Sequence, residues 1–249
     1  MMCLRLMGAA LLLASLAPTP PAAAELAGAA QGTRSLAEVR DRLRIQIRAE
    51  SDPRAEGAVW RQDLLGTRTV LMLAGETPDG DRDVTVQEAA IWGRAPDELM
   101  AIGLANLERR QPPEFRTSPP IEPGLRIHIF YREDAYAAAH VLWAARDKRC
   151  LGTRGAIVSI PNRHSVLCYP IESSLAPRGY LAMVNLTLDI LVVGENPVAP
   201  HVFWFHDGVF EAQPVRIADG RILYERTEAF KALLRDPPRD ILGPHERRW

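Results

Sequence analysis

The sequence predicts an α+β fold: a mostly antiparallel or mixed sheet with helices packed on it, finished by a C-terminal three-stranded meander and a last helix. Three observations predict this. Ala156–Ile160 and Ser165–Tyr169 are apolar on most positions of both faces and flank the polar knot Pro161-Asn162-Arg163-His164, as a central hairpin would. Asp207-Gly208 and Asp219-Gly220 punctuate the strand-like stretches after His201 in the manner of two-residue hairpin turns. Ser35 with Glu38 and Thr85 with Glu88 form two capping boxes, each opening a helix.

Residues 1–24 read as a signal peptide. Arg5 precedes the apolar run "LMGAALLLASL", and Ala22-Ala23-Ala24 fits a small-residue cleavage site. The run is shorter than the roughly 20 apolar residues of a membrane span. The mature chain is expected to start near Glu25, in the periplasm or outside the cell. Residues 25–34 are a polar lead. From Ser35 the spacing of Leu36, Val39, Leu43 and Ile47 predicts a helix ending before Pro53. A strand is expected over Thr67–Ala74, with a turn or loop through "ETPDGDRD".

The Thr85 capping box opens a short helix through Trp92. Pro96 suits the first turn of the next helix, and Asp97 and Glu98 suit its N-terminal charge. Residues 111–124 carry five prolines, which exclude regular helix and central strand. They are read as a loop over one domain or as an interdomain linker.

Leu125–Arg132 alternates as a strand, and Asp134 can cap a helix through "AYAAAHVLWAARDK". In the knot, Pro161 and Asn162 suit the second and third positions of a tight turn. Tyr180–Val193 is read as a core helix, with Ser173 or Ser174 as cap and Asn185 and Asp189 on one face. His201–His206, Val209–Ile217 and Arg221–Tyr224 make the meander, and Thr227 opens the last helix. Residues 35–236 are expected to form one α+β domain, subdivided at 111–124 if that stretch is a linker, with a loose tail over 237–249.

Charge and motifs exclude several function classes. The whole chain has a net charge of −1, and loss of Arg5 with the leader makes it one unit more negative. Nothing in that balance argues for nucleic acid or an anionic lipid surface. No C-x-x-C, G-x-S-x-G, H-E-x-x-H, P-loop or G-x-G-x-x-G is present. No cofactor and no metal are expected: His201 and His206 are five apart, on opposite faces of a regular strand. If Cys168 and His164 belong to one extended strand, they share a face but lie roughly 13 Å apart along it, beyond hydrogen-bond reach. Cys150 and Cys168 are a disulfide candidate in an oxidising compartment, with two buried free thiols as the alternative.

Two stretches, "VQEAAIWGRAPDELMAIGLANL" and "GAIVSIPNRHSVLCYPI", give a family resemblance. A short helix broken at Trp-Gly, a helix ending in Ala-Asn-Leu, and an apolar hairpin turning at Pro-Asn-Arg resemble the YtpQ-like bacterial domain of unknown function. The resemblance covers about half of the mature chain. It implies an α+β fold, no established activity and no catalytic residue.

The resulting expectation is a monomeric, exported binding or interaction domain of the cell envelope, of which an inhibitor or immunity-type protein is one form. Its partner is an unknown protein or envelope ligand, with no membrane span after the leader is removed. The alternative is an envelope hydrolase whose residues meet only in three dimensions. The binding candidates are Asn162, Arg163 and His164, expected as an exposed turn, and Trp204 in an aromatic patch over Phe203–Phe205.

Overall fold

The computed structural model describes residues 34–49, 52, 61–63, 69–77, 80–109, 114–134, 136–144 and 147–238. The expected signal peptide, nearly all of the polar lead and the tail beyond 238 lie outside them.

Ser35 caps α1 (Leu36–Val39), with both halves of the capping box made. The expected long helix stops there. A 3-10 turn follows over Arg40–Arg42, and Leu43–Ala49 is strand β1. The competing period wins because Leu43, Ile45 and Ile47 alternate with Arg44, Gln46 and Arg48, and all three aliphatics are fully buried. A distant residue fixes the switch. Asn106 donates through Nδ2 to the carbonyls of Arg40 (2.6 Å) and Leu43 (3.0 Å), groups a continuing helix would have used itself.

Antiparallel pairing of β1 with β3 (Thr69–Thr77), and of β3 with β2 (Arg61–Asp63) and β4 (Gly80–Asp83), makes a four-stranded sheet. Part of the expected "ETPDGDRD" loop is therefore the β3–β4 hairpin. Thr85 caps α2 (Val86–Trp92), which ends at Gly93 in the left-handed region, φ 60°. Glu88 of that capping box is buried and also meets Arg34 and Arg82. Helix α3 spans Pro96–Arg109 and packs Leu99 and Leu107 inward.

The second sheet has six antiparallel strands in the order β10-β9-β7-β8-β6-β5. They are β5 (Glu114–Thr117), β6 (His128–Tyr131), β7 (Ala156–Asn162), β8 (Ser165–Pro170), β9 (Val202–His206) and β10 (Val209–Gln213). The proline-rich stretch supplies β5, and it takes an edge, where missing N–H donors cost least. The expected helix after Asp134 is instead a 3-10 turn, Ala137–His140, leading into the single turn of α4 (Val141–Ala144).

The β7–β8 hairpin is central, as expected, and both its faces are covered. On one face Val158, Val166 and Phe203 join Ile45 of β1 and Leu99 and Leu107 of α3. On the other, Ile157, Leu167, Tyr169 and Trp204 meet α5 (Ala176–Val193) and α6 (Glu228–Arg235) through Tyr180, Met183, Phe230 and Leu233. Helix α5 begins just past the expected caps, with Pro177 in its first turn. Leu175 is its N-cap residue, and Ser173 Oγ accepts from the Leu175 N–H at 3.2 Å. Among the described residues only α5 is long and apolar enough to cross a membrane, and its inner face lies on the sheet. Asn185 and Asp189 are exposed on its outer face.

The expected strand Val209–Ile217 is broken at Pro214. Val215–Ala218 (β11) leaves the main sheet and pairs with Arg221–Tyr224 (β12) in a separate ribbon. Both Asp-Gly pairs turn as expected. Asp207, Gly208, Asp219 and Gly220 all have positive φ, the geometry of primed hairpin turns.

Candidate functional site

The polar knot is built differently from its expected form. Strand β7 runs on through Pro161 to Asn162, with a bulge between Ser159 and Asn162, and the turn residues are Arg163 and His164. Proline is tolerated at a bulge because no ladder donor is needed there. Its carbonyl accepts from the Val198 N–H at 2.9 Å. Asn162 Oδ1 accepts from the His164 N–H (3.0 Å) and from Ser165 Oγ (2.7 Å).

Three other segments grip the same turn. Arg132 N–H donates to the His164 carbonyl, Ala138 N–H to the Arg163 carbonyl, and Arg163 N–H to the Asn196 carbonyl, at 3.0, 3.0 and 3.2 Å. Asn162 is buried and Arg163 and His164 are half-buried, so the knot is a packed junction and not an exposed turn. The knot is buried because the segments after β6 and α5 both fold onto it.

Trp204 does not join the knot. It pairs with Ile157, five residues from Asn162 along β7, or roughly 16 Å away. Phe203, Trp204 and Phe205 are 1 %, 7 % and 7 % exposed, so the expected surface patch is interior. The reason is that β9 is an inner strand covered on both faces. Trp204 Nε1 donates to the Arg154 carbonyl at 3.0 Å, and its ring stacks on His206.

Cys150 and Cys168 are neighbours, both fully buried and unbonded; Cys168 Sγ donates to the Cys150 carbonyl at 3.3 Å. Burial, with help from the contact to Cys150, pushes the Cys168 thiol well above its ordinary range. The β6–β8 register sets His128 directly opposite Cys168, a pairing linear spacing did not show. The imidazole is committed elsewhere: its Nδ1 meets Thr117 Oγ1 at 3.0 Å and its ring stacks on Phe115. Burial first, and then the nearby Arg149 cation, lower its pKa. A neutral thiol beside a base bonded elsewhere lacks the activated state that nucleophilic catalysis needs.

His206 lies between two carboxylates, Asp207 at 3.2 Å from Nδ1 and Glu211 at 3.3 Å from Nε2. Burial would raise the Glu211 carboxyl, but hydrogen bonds from Thr227, His206 and Gln213 outweigh it and hold it below the usual value. Gln213 Oε1 in turn accepts from the Thr227 N–H at 3.0 Å, which fixes the start of α6. With both ring nitrogens occupied, His206 has none left to address a substrate. Among the described residues no group of three or more His, Cys, Asp or Glu side chains has the arrangement of a metal site.

Among the described residues several buried polar atoms lack a protein partner, His164 Nδ1 at the knot, Arg34 Nη1 and Glu122 Oε1 among them, but at the recess between α5 and α6 two such donors, Tyr180 Oη and Arg226 Nε, lie together. A recess of about 550 Å³ opens between the N-terminal half of α5 and α6. Its apolar wall is Pro177, Leu181 and Leu234, and its polar rim is Arg226, Glu228, Lys231 and Arg235. Tyr180 is 1 % exposed, and its hydroxyl has no hydrogen-bond partner. Burial pushes this phenol up to about 12, against the pull of the Arg226 cation, so it stays neutral.

The Arg226 guanidinium lies over the Tyr180 and Tyr224 rings, 5.5 and 5.6 Å from their centres, and its buried Nε is also unpartnered. Lys231 pairs with Glu228 at 2.7 Å, and that bond lowers the Glu228 carboxyl. Three cations thus face one acid. No linear motif marks these residues. Helix packing alone brings Tyr180 to Arg226, and the only sequence sign is an arginine two residues past a tyrosine, just before a helix cap.

Compared with known proteins, the chain matches no protein-family model, no curated protein and no solved structure.

Proposed function

We propose that this chain is an exported binding domain of the cell envelope, which holds an anionic partner at the α5–α6 recess and does not convert it. The observation that carries the reading is the pair of unmet donors there, Tyr180 Oη–H and Arg226 Nε–H. Buried polar groups are ordinarily hydrogen-bonded, and unmet donors at the edge of a solvent-open recess invite an acceptor from outside. The other titratable groups speak against turnover. Cys168 is buried and neutral, His128 is turned to Thr117, and His206 is held at both nitrogens. Export rests on the N-terminal pattern of residues 1–24.

The test begins with expression of the full chain in a bacterium with two membranes. The protein should be recovered from the periplasm with its N-terminus near Glu25. An envelope extract should then raise the melting temperature of the wild type and leave that of Arg226→Ala unchanged. Recovery from the cytosol alone overturns the export part. An equal shift in both proteins, or conversion of an extract component, overturns the binding part.

A further inference from the structure

We infer that the recess takes a small organic carboxylate, its oxygens on the Arg226 fork and the Tyr180 hydroxyl, its apolar body against Leu181 and Leu234. This rests on the binding reading above and names the ligand class.

A guanidinium offers a planar fork that matches a carboxylate in two parallel hydrogen bonds. Arg226 is already oriented by the two tyrosine rings beneath it, and its Nε side is unclaimed. The Tyr180 hydroxyl, protonated at every physiological pH, supplies a second donor that has no acceptor within the chain. One oxyanion placed between them satisfies both.

The apolar wall selects among anions. Lys231 pairs with Glu228, while Arg235, whose Nε donates to the Lys231 carbonyl, keeps its charge, so the rim stays net cationic and draws anions of any valence. The Arg226 fork seats a carboxylate in two parallel bonds. Behind the rim the wall is apolar. Leu181 is 46 % exposed and faces the opening with Pro177 and Leu234, a wall that an inorganic ion leaves bare. The volume lies within the usual range for small-molecule sites.

Titration calorimetry on the mature protein tests this, with benzoate as probe, benzamide as its neutral counterpart, and inorganic phosphate. Benzoate should bind about tenfold tighter than benzamide, and Arg226→Ala should remove that margin. Leu181→Ser should weaken benzoate and leave phosphate unaffected. Arg226→Gln keeps the stem packing and serves if the alanine variant melts early. Equal binding of benzoate and benzamide, wild-type affinity in Arg226→Gln, or phosphate binding tighter than benzoate each overturns the inference. No benzoate binding, with an envelope extract that still stabilises the wild type and not Arg226→Ala, overturns the ligand class and leaves the binding reading standing. No extract effect on either protein overturns both.

Discussion

The Arg226 guanidinium rests 5.5 Å above the Tyr180 ring, and neither the Arg226 Nε nor the Tyr180 hydroxyl is hydrogen-bonded. A buried hydroxyl without a partner costs stability, and its removal at constant shape recovers that cost. Tyr180→Phe is therefore expected to stabilise the free protein by about 1 kcal/mol in urea unfolding. Lower stability would mean that the hydroxyl has a water or protein partner after all.

Gly179 lies one residue earlier in α5. A Cβ built there falls 2.2 Å from the Tyr169 Cε1, part of a ring that is itself buried in the core. Helix propensity favours alanine by roughly 1 kcal/mol. Overpacking of a fixed ring costs about 1–3 kcal/mol and wins. Gly179→Ala should lower the melting temperature, and a rise would show that Tyr169 swings aside freely.

Asn162 Oδ1 accepts two hydrogen bonds at the β7–β8 turn. Asn162→Ala strands the His164 N–H and the Ser165 hydroxyl and should cost about 1–3 kcal/mol. Asn162→Asp keeps the acceptor and should lose clearly less. Equal losses in denaturant unfolding would assign the effect to packing.

In reduced protein Cys150 and Cys168 should resist alkylation while the chain is folded and react once it is unfolded, since both are buried and the Cys168 thiol is pushed up. In protein recovered from an oxidising envelope, thiol–disulfide exchange with a disulfide donor is expected to join them. The intact mass then falls by two hydrogens, and each sulfur loses one electron to the donor. Closure of a loop between positions 18 apart adds about 3 kcal/mol. Two free thiols in that material would exclude the bond.

His128 has a lowered pKa through burial and then Arg149. Its unfolded form takes up a proton near the ordinary value, about 6.5, and its folded form only below that. Between those two values the unfolded state binds more protons, so stability falls as pH falls through that window. Proton NMR should place its midpoint below the ordinary value, and His128→Gln should flatten stability over the same window. An unshifted midpoint contradicts the packing of Arg149 and Phe115 against it.

Much of the fold was legible because its signals are local. Thr85 and Glu88 cap a helix through atoms three residues apart, and each Asp-Gly turn needs only its own two φ angles. Legibility failed where two periods coincide. Leu43 and Ile47 are four apart, which suits both a helix face and a strand face, and Asn106, far along the chain, decides between them. The knot failed for a related reason. Pro161 and Asn162 suit a tight turn in isolation, but Val198 and Asn196 offer the carbonyls and amides of another segment. The recess was invisible in sequence, since Tyr180 and Arg226 meet only when α5 and α6 are packed.

The grip on the β7–β8 turn also bears on the order of folding. A hairpin closes within microseconds from contacts near in sequence. The hydrogen bonds from Arg132 and Ala138, and the one to the Asn196 carbonyl, cannot form until segments on both sides have closed large loops, and such closure is slow. The strands thus pair early and their tip is locked last. In a chevron analysis His164→Ala, which removes the ring contact to Asn196 Nδ2 at 3.3 Å, should mainly speed unfolding and scarcely slow folding, the signature of a contact made after the barrier is crossed. A slowed folding limb would place the lock in the nucleus instead.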